Sequence, residues 1–434
     1  MAPTNILVTT DNFWIGGRET FLLSNLELLR RRDQVRVRLL ANDVVTCDAL
    51  KVFDEVKSLR GSRSNSLKGW LAEGIRVMQS ESLDLIWAQH YQLLSAWILS
   101  VQIDVPLLVT FHGPLLGPGA PTTVEEALGA AIAIHRGGIL SAVSHEIAEQ
   151  LFALGAPSDR VRILPNKVPV EELEEVHTTR RQQRELRLVM LTRPQKLGHI
   201  RAGAEFLHAV RRSGYRARLT VYSGYVRVDG GAKDREGRHE FVAARRLGRK
   251  WLMRNPKLWS VLRDIEFCPP TDDPARVIAD ADIVVGMGRV VLEGLAARRP
   301  TVLIGYEKAV GVVSGENFDK YGFSNFSGRG LRGDLMEDIA AIAVDALSMR
   351  SADREYLCRL VDIERSYGHL VETLDSAARM RPCCNVFGGT GMSVERLLNG
   401  EISESSFLNS LRRTLSRQEA KTFTGLLTAG GNAS

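Results

Sequence analysis

Two successive series of short apolar runs, each separated from the next by an amphipathic segment, constrain this chain more than any other feature. Asn5–Thr10, Val35–Ala41, Leu83–Gln89, Pro106–His112, Gly138–Ser144 and Val161–Pro165 form the first series. Leu186–Thr192, Ala217–Ser223, Ile265–Pro269, Ile283–Gly286 and Thr301–Gly305 form the second. Runs of this length, rich in Val, Ile and Leu, read as strands buried on both faces. The stretches between them repeat apolar residues at helical spacing, as Phe21, Leu22, Leu26 and Leu29 do within Glu19–Arg31. The repetition predicts an α/β fold with doubly wound parallel sheets, and 434 residues leave room for two such domains.

A polar, charge-dense stretch without apolar period, Glu171–Arg187, separates the two series and reads as the inter-domain linker. Residues 1–178 are therefore expected to form one Rossmann-like domain and 179–366 a second. From about Arg354 the pattern turns helical, so residues 367–434 form a helical extension. Its first helix, Tyr367–Met380, gathers Leu370, Val371 and Leu374 on one side and is expected to cross back to the first domain. In open α/β sheets ligands collect outside the carboxyl ends of the strands, which directs attention to the residues that follow each strand.

Composition narrows the function classes. With 44% hydrophobic and 25% charged residues the chain is globular, which excludes a disordered or collagen-like protein. Lys plus Arg exceeds Asp plus Glu by 57 to 51, a mild excess that favours anionic partners. No run approaches the roughly 18 apolar residues of a membrane span, and no basic region precedes a long apolar one near the start. The five cysteines, at 47, 268, 358, 383 and 384, contain no Cys-x-x-Cys pair and predict neither zinc nor a disulfide framework. A cytoplasmic protein, soluble or peripheral at the inner membrane face, is expected. Residues 231–257 carry nine Lys or Arg against three acids, with Phe241, Val242, Leu247, Trp251 and Leu252 spaced as one helical face. That segment reads either as a core-packed helix with a solvated face or as a surface for an anionic membrane or acceptor.

Four strand ends carry residues suited to chemistry. Gly16 and Gly17 open a helix after the first strand, where backbone amides and the helix dipole favour a phosphate; a plain tight turn is the alternative. His112 closes the fourth strand ahead of Gly113, as a site residue or a structural one, with His90 and His145 at similar positions. Arg193 and Lys196 follow Leu191-Thr192 and suit a diphosphate, whose charge calls for two cations. Gly286, Met287, Gly288 and Arg289 follow Ile283-Val284-Val285, with Glu293 one turn into the next helix. Amides there suit phosphate or hydroxyls, and the carboxylate suits a ribose diol.

Taken in this order, the pieces resemble the family-four retaining glycosyltransferases of the GT-B fold, with two Rossmann-like domains facing a central cleft. Gly-Gly-Arg-Glu at 16–19 carries the resemblance, with Ser141-Ala142-Val143-Ser144-His145-Glu146 leading to Ile163-Leu164-Pro165-Asn166, and Gly286–Ala296 followed by Arg299-Pro300. The Gly-Met-Gly-Arg form, with Glu316-Asn317-Phe318 and Asn325–Arg329, is similar to a subgroup of polysaccharide and antibiotic-pathway transferases. The resemblance implies a nucleotide diphosphate sugar as donor, retention of configuration and no metal or other cofactor. Gly16, Gly17, Arg193 and Lys196 would lie by the diphosphate, Glu293 by the ribose, and the His112 backbone by the transferred sugar. Two departures stand out: Val285 replaces the usual Glu eight residues before Glu293, and the segment between Arg193 and Lys196 is about two residues short.

An acceptor that is anionic or membrane-associated, no nucleic acid, and a homodimer through the C-terminal helices complete the expectations. Two other readings stay open. A sugar-nucleotide epimerase or phosphorylase-like enzyme would use the same fold, and a binding protein would keep the nucleotide site without turnover.

Overall fold

The structure, a computed structural model, describes all residues except 1–3, 14–15, 45–47, 60–65, 80–81, 90–92, 117–122, 175–184, 193–196, 224–249, 251, 270, 272, 306–307, 332–338, 381–392 and 432–434. Contacts divide the chain into two compact units. One comprises Met1–Phe13, Asn25–Pro165 and Ser366–Ser434; the other comprises Trp14–Ser24 and Asn166–Arg365. The expected boundary at 178 falls outside the described residues. The second unit begins, after Ser24, at Asn166.

The first unit is built on seven parallel strands: β1 (Asn5–Phe13), β2 (Arg36–Val44), β3 (Glu55–Ser58), β4 (Leu85–Gln89), β5 (Leu107–Phe111), β6 (Ile139–Ala142) and β7 (Val161–Ile163). Their order is β3-β2-β1-β4-β5-β6-β7. Ile6 pairs with Val37 on one side and Leu85 on the other, so β1 lies inside the sheet, next to the central β4. Every residue of β4, β5 and β6 is buried, as mainly apolar strands covered on both faces are. β3 escaped the sequence reading because Glu-Val-Lys-Ser holds a single apolar residue, which an edge strand tolerates.

The C-terminal helices Tyr367–Arg379, Val394–Leu398, Glu404–Arg413 and Arg417–Gly431 group with this unit. Tyr367–Arg379 packs on β5 and β6 through Leu370, Leu374 and Ala377. At its start the Tyr367 hydroxyl donates to Asp33 at 2.6 Å, beneath the Arg32 guanidinium. Arg417–Gly431 packs on helix Val124–Arg136, where Arg136 forks onto both carboxylate oxygens of Glu419. Burial raises the Glu419 carboxyl, but Arg136 and Ser416 more than offset it and leave it below its usual value.

The second unit holds β8 (Leu186–Thr192), β9 (Ala217–Ser223), β10 (Ile265–Cys268), β11 (Ile283–Gly286), β12 (Thr301–Ile304) and β13 (Ala309–Val312), in the order β10-β9-β8-β11-β12-β13. Its strands show the two-residue period of a sheet covered on both faces. Leu188, Met190, Ile283 and Val285 enter one core with helices Leu197–Arg212 and Ile339–Ser348; Val189 and Val284 turn to the opposite side, against Ile278. β13, which the sequence reading did not include, runs antiparallel to β12. No described helix is long and apolar enough to cross a membrane.

Candidate functional site

The order of the second sheet reverses between β8 and β11, and the loops leaving the carboxyl ends of those strands flank the switch point where α/β sheets bind ligands. Thr192 ends β8 and pairs in register with Ser223 at the end of β9. The Thr192 hydroxyl lies 3.3 Å from Nδ1 of His199, a residue buried in the first turn of helix Leu197–Arg212. Arg193 and Lys196, placed between them by the sequence, lie outside the described residues.

The loop after β11 is fully described. Gly286 ends the strand, and a Cβ there would come within 2.6 Å of the Val290 side chain. Gly288 caps helix Arg289–Ala296 with φ 58°, a conformation that glycine adopts without steric cost. Its N–H donates to the Phe326 carbonyl at 2.7 Å, so that amide is committed within the protein and is not one of those expected at a donor. Asn325 and Phe326 both have positive φ, and the Asn325 carboxamide accepts from Asn166 at 3.0 Å. The Asn166 and Asn325 stretches, noted in sequence only for their likeness to a family, thus brace the Gly-Met-Gly turn.

One turn further, Arg289 Nε donates to Glu293 at 2.9 Å, while its two other nitrogens donate to the Lys167 carbonyl and the Ser24 hydroxyl. The guanidinium is a brace among three elements, with 11% of its side chain exposed against 18% for Glu293. Burial pushes the Glu293 carboxyl above its usual range, with the neighbouring Arg289 acting against that shift. Gly294 allows the close packing behind this pair: a Cβ would lie 2.5 Å from Thr301 Oγ1 and 3.0 Å from Val284. Lys167 serves structure, its ammonium bound to the Leu360 carbonyl and its pKa lowered by burial. Among the described residues, no three or more His, Cys, Asp or Glu side chains group so as to hold a metal ion.

Gly16 and Gly17 group with the same unit. The Gly16 carbonyl accepts from both the amide and the hydroxyl of Thr20, which fixes the start of helix Gly17–Arg32. A Cβ at Gly17 would meet nothing within 4 Å, and its φ is not positive, so neither packing nor backbone conformation requires glycine there.

His112 belongs to the first unit, just beyond β5. Its Nε2 lies 2.6 Å from Gln89 Oε1, at the end of the adjacent β4, and therefore carries the proton that Gln89 accepts. The carboxamide nitrogen of Gln89 is buried without a hydrogen-bond partner. Gln89 is not among the residues the sequence singles out for chemistry, although a lone amide ending the run Leu-Ile-Trp-Ala is the signal that marks it. His90 lies outside the described residues.

Residues 16–167 match the model of the glycosyl transferase 4-like domain. No curated protein matches the chain. Among solved structures, Anabaena Alr3699/HepE in complex with UDP and glucose aligns over 86% of this chain and 100% of its own, with TM-score 0.54 and 16% identity. A trehalose-6-phosphate structure from E. coli bound with UDP-2-fluoro glucose covers 87% and 100%, with TM-score 0.56 and 12% identity. Sucrose-phosphate synthase from Thermosynechococcus elongatus covers 86% and 100%, at 0.55 and 15%. The chain has the GT-B fold. Each unit of this GT-B chain carries its own strand-order reversal, and among the described residues Gly286 ends β11 beside one and Gln89 ends β4 beside the other. At 285, where the sequence departs from the family it resembles, the GT-B sheet buries Val285 completely in the core.

Proposed function

We propose that this protein is a glycosyltransferase that moves a sugar, with retention and without a metal, from a nucleotide diphosphate sugar to an acceptor that is anionic or membrane-associated. The domain match over 16–167 and the GT-B fold support the transferase and its nucleotide-sugar donor. The observation that carries the reading to residues is the braced Gly286–Glu293 turn. There a carboxylate held by one arginine stands one turn into the helix that leaves the switch point.

In this reading Glu293 accepts from a ribose hydroxyl, and the first turn of Arg289–Ala296 favours negative charge through its dipole. Arg193, Lys196, Gly16 and Gly17 stabilise the diphosphate as it leaves, the place where negative charge develops. The backbone at His112 serves the transferred sugar, with Gln89 fixing the ring. Since the side chain at 285 is in the core, sugar selection falls to the backbone of Met287 and Arg289 and to the loops that follow.

Melting of the full chain with UDP, GDP, dTDP and ADP and their glucose or mannose conjugates tests the donor, because a ligand that binds only the folded state raises the melting temperature. One nucleotide is expected to give a selective rise that Glu293→Ala removes, and turnover of its sugar conjugate is expected to survive chelation of divalent ions. Unchanged donor turnover in both Glu293→Ala and Arg193→Ala would overturn the assignment. Donor isomerisation without acceptor would indicate an epimerase, and tight nucleotide binding without turnover would indicate a binding protein.

A further inference from the structure

The strongest unexplained surface lies in the second unit, away from the strand ends. Pro256–Asp264 is a 3-10 helix, so residues three apart share a face. Leu258 and Val261 are buried and join the core. Pro256, Trp259 and Leu262 form a second row, in which Pro256 and Trp259 are exposed and Leu262 packs on the core, and Lys257, Ser260 and Arg263 form an exposed third. Trp259 is 60% exposed and Met253, just before the helix, is 53% exposed. The indole N–H donates to the Met253 carbonyl at 2.8 Å, which holds the ring in place and satisfies its one polar atom within the chain. Two large apolar side chains held open to water in one place mark an interaction surface more often than chance exposure does.

Charge identifies the partner. Between Lys250 and Arg263 the chain carries Lys250, Arg254, Lys257 and Arg263, with no acid. All four are exposed. The nearest acid on this element, Asp264, is paired with Arg211 of the packed helix Leu197–Arg212. On that helix Arg212 is exposed as well, and His208 lies 3.3 Å from the Ser260 hydroxyl. An exposed apolar pair flanked along the chain by exposed cations suits a surface with anionic groups above and hydrocarbon below, where tryptophan prefers the headgroup level and basic side chains gain from the negative potential. A second copy meeting this face by two-fold symmetry would set four cations against four. A nucleic-acid backbone would leave Met253 without apolar company.

We propose that the outer face of Met253–Arg263 docks on an anionic lipid bilayer. Trp259 and Met253 enter the headgroup boundary and Lys250, Arg254, Lys257 and Arg263 face the lipid phosphates. The inference is independent of the transfer reaction, since membrane binding is measured without donor or acceptor.

Sedimentation of the full chain with vesicles of phosphatidylcholine alone, or of phosphatidylcholine mixed with phosphatidylglycerol, tests it. Binding is expected only with the anionic mixture and should weaken as salt is added. Each basic residue near such a surface is worth about five-fold in partitioning, so R254E/K257E is expected to lower binding by about 25-fold or more. M253S/W259S should release the protein as well, and Trp259→Phe should diminish the blue shift of fluorescence on vesicle addition. An unchanged melting temperature in each variant separates loss of docking from loss of fold. Failure of the wild type to sediment with anionic vesicles would overturn the proposal, as would undiminished binding by both double variants. A self-associating wild type whose mass falls to that of a single chain in M253S/W259S without lipid would assign the face to a second copy instead.

Discussion

Arg289 makes the sharpest test of the site, because its removal separates the cost of a lost contact from the cost of a stranded charge. Arg289→Met keeps the aliphatic stem and deletes the donors to Glu293, the Lys167 carbonyl and Ser24. Glu293, whose carboxyl is already raised by burial, then loses the group that opposed the shift. Stranding one partner of a mostly buried pair costs about 3–5 kcal/mol when the other stays charged, and less when it takes up a proton. The pH dependence follows from the sign of the shift. A carboxyl raised in the folded state binds its proton more tightly there than in the unfolded chain, so stability is full below the unfolded value and is lost as pH rises through the folded one. Unfolding free energy in Arg289→Met should therefore fall by up to about 1.4 kcal/mol per pH unit over the window between those two values. Wild type should show a smaller decline, because Arg289 limits the shift. Arg289→Met/Glu293→Gln removes the titrating group, and it should recover about 2 kcal/mol over Arg289→Met at neutral pH and lose that slope. Since the chain has two units, the effect is best read by urea-dependent hydrogen exchange of the amides in Arg289–Ala296, which reports opening of that helix alone. A single variant that costs under about 1 kcal/mol at neutral pH, or singles that add without coupling, would refute the brace.

Three further outcomes follow from the packing. Gly17→Ala meets no neighbour and adopts helical geometry readily, so the melting temperature should hold or rise slightly while affinity for the nucleotide falls; a variant that binds as wild type would remove Gly17 from the donor site. Deleting residues 367–434 uncovers the faces that Leu370 and Leu374 cover and breaks the Arg136–Glu419 fork, and an unchanged melting temperature would contradict both contacts. Glu419, held below its usual value, contributes stability that is present above the unfolded carboxylate range and lost as pH falls through the folded one. Glu419→Gln should accordingly flatten the acid side of the stability profile.

What could be read in the sequence follows a physical line. Strands buried on both faces, such as Leu85–Gln89 and Leu107–Phe111, announce themselves as mainly apolar runs, each with a single polar residue. An edge strand such as Glu55–Ser58 needs no such run, because backbone pairing with β2 holds it. Glycines at strand ends were equally visible, but their reasons were not alike. Gly288 answers to a positive φ and Gly294 to a close wall, whereas Gly17 answers to neither, and only coordinates separate the three.

The alternation of short apolar runs and amphipathic segments by itself determined that this chain builds two doubly wound sheets, because local hydrophobic period decides which face of each element must be covered. It also directed attention to the residues that follow each strand. Tertiary structure alone decided that Ser24, Lys167 and Glu293 converge on Arg289 and that Asn166 reaches Asn325, since those partners lie up to 265 residues apart in the chain. It likewise turned Trp259 outward while Leu258 and Val261 turned in, a choice set by the wall of helix Leu197–Arg212 and not by any residue's own preference.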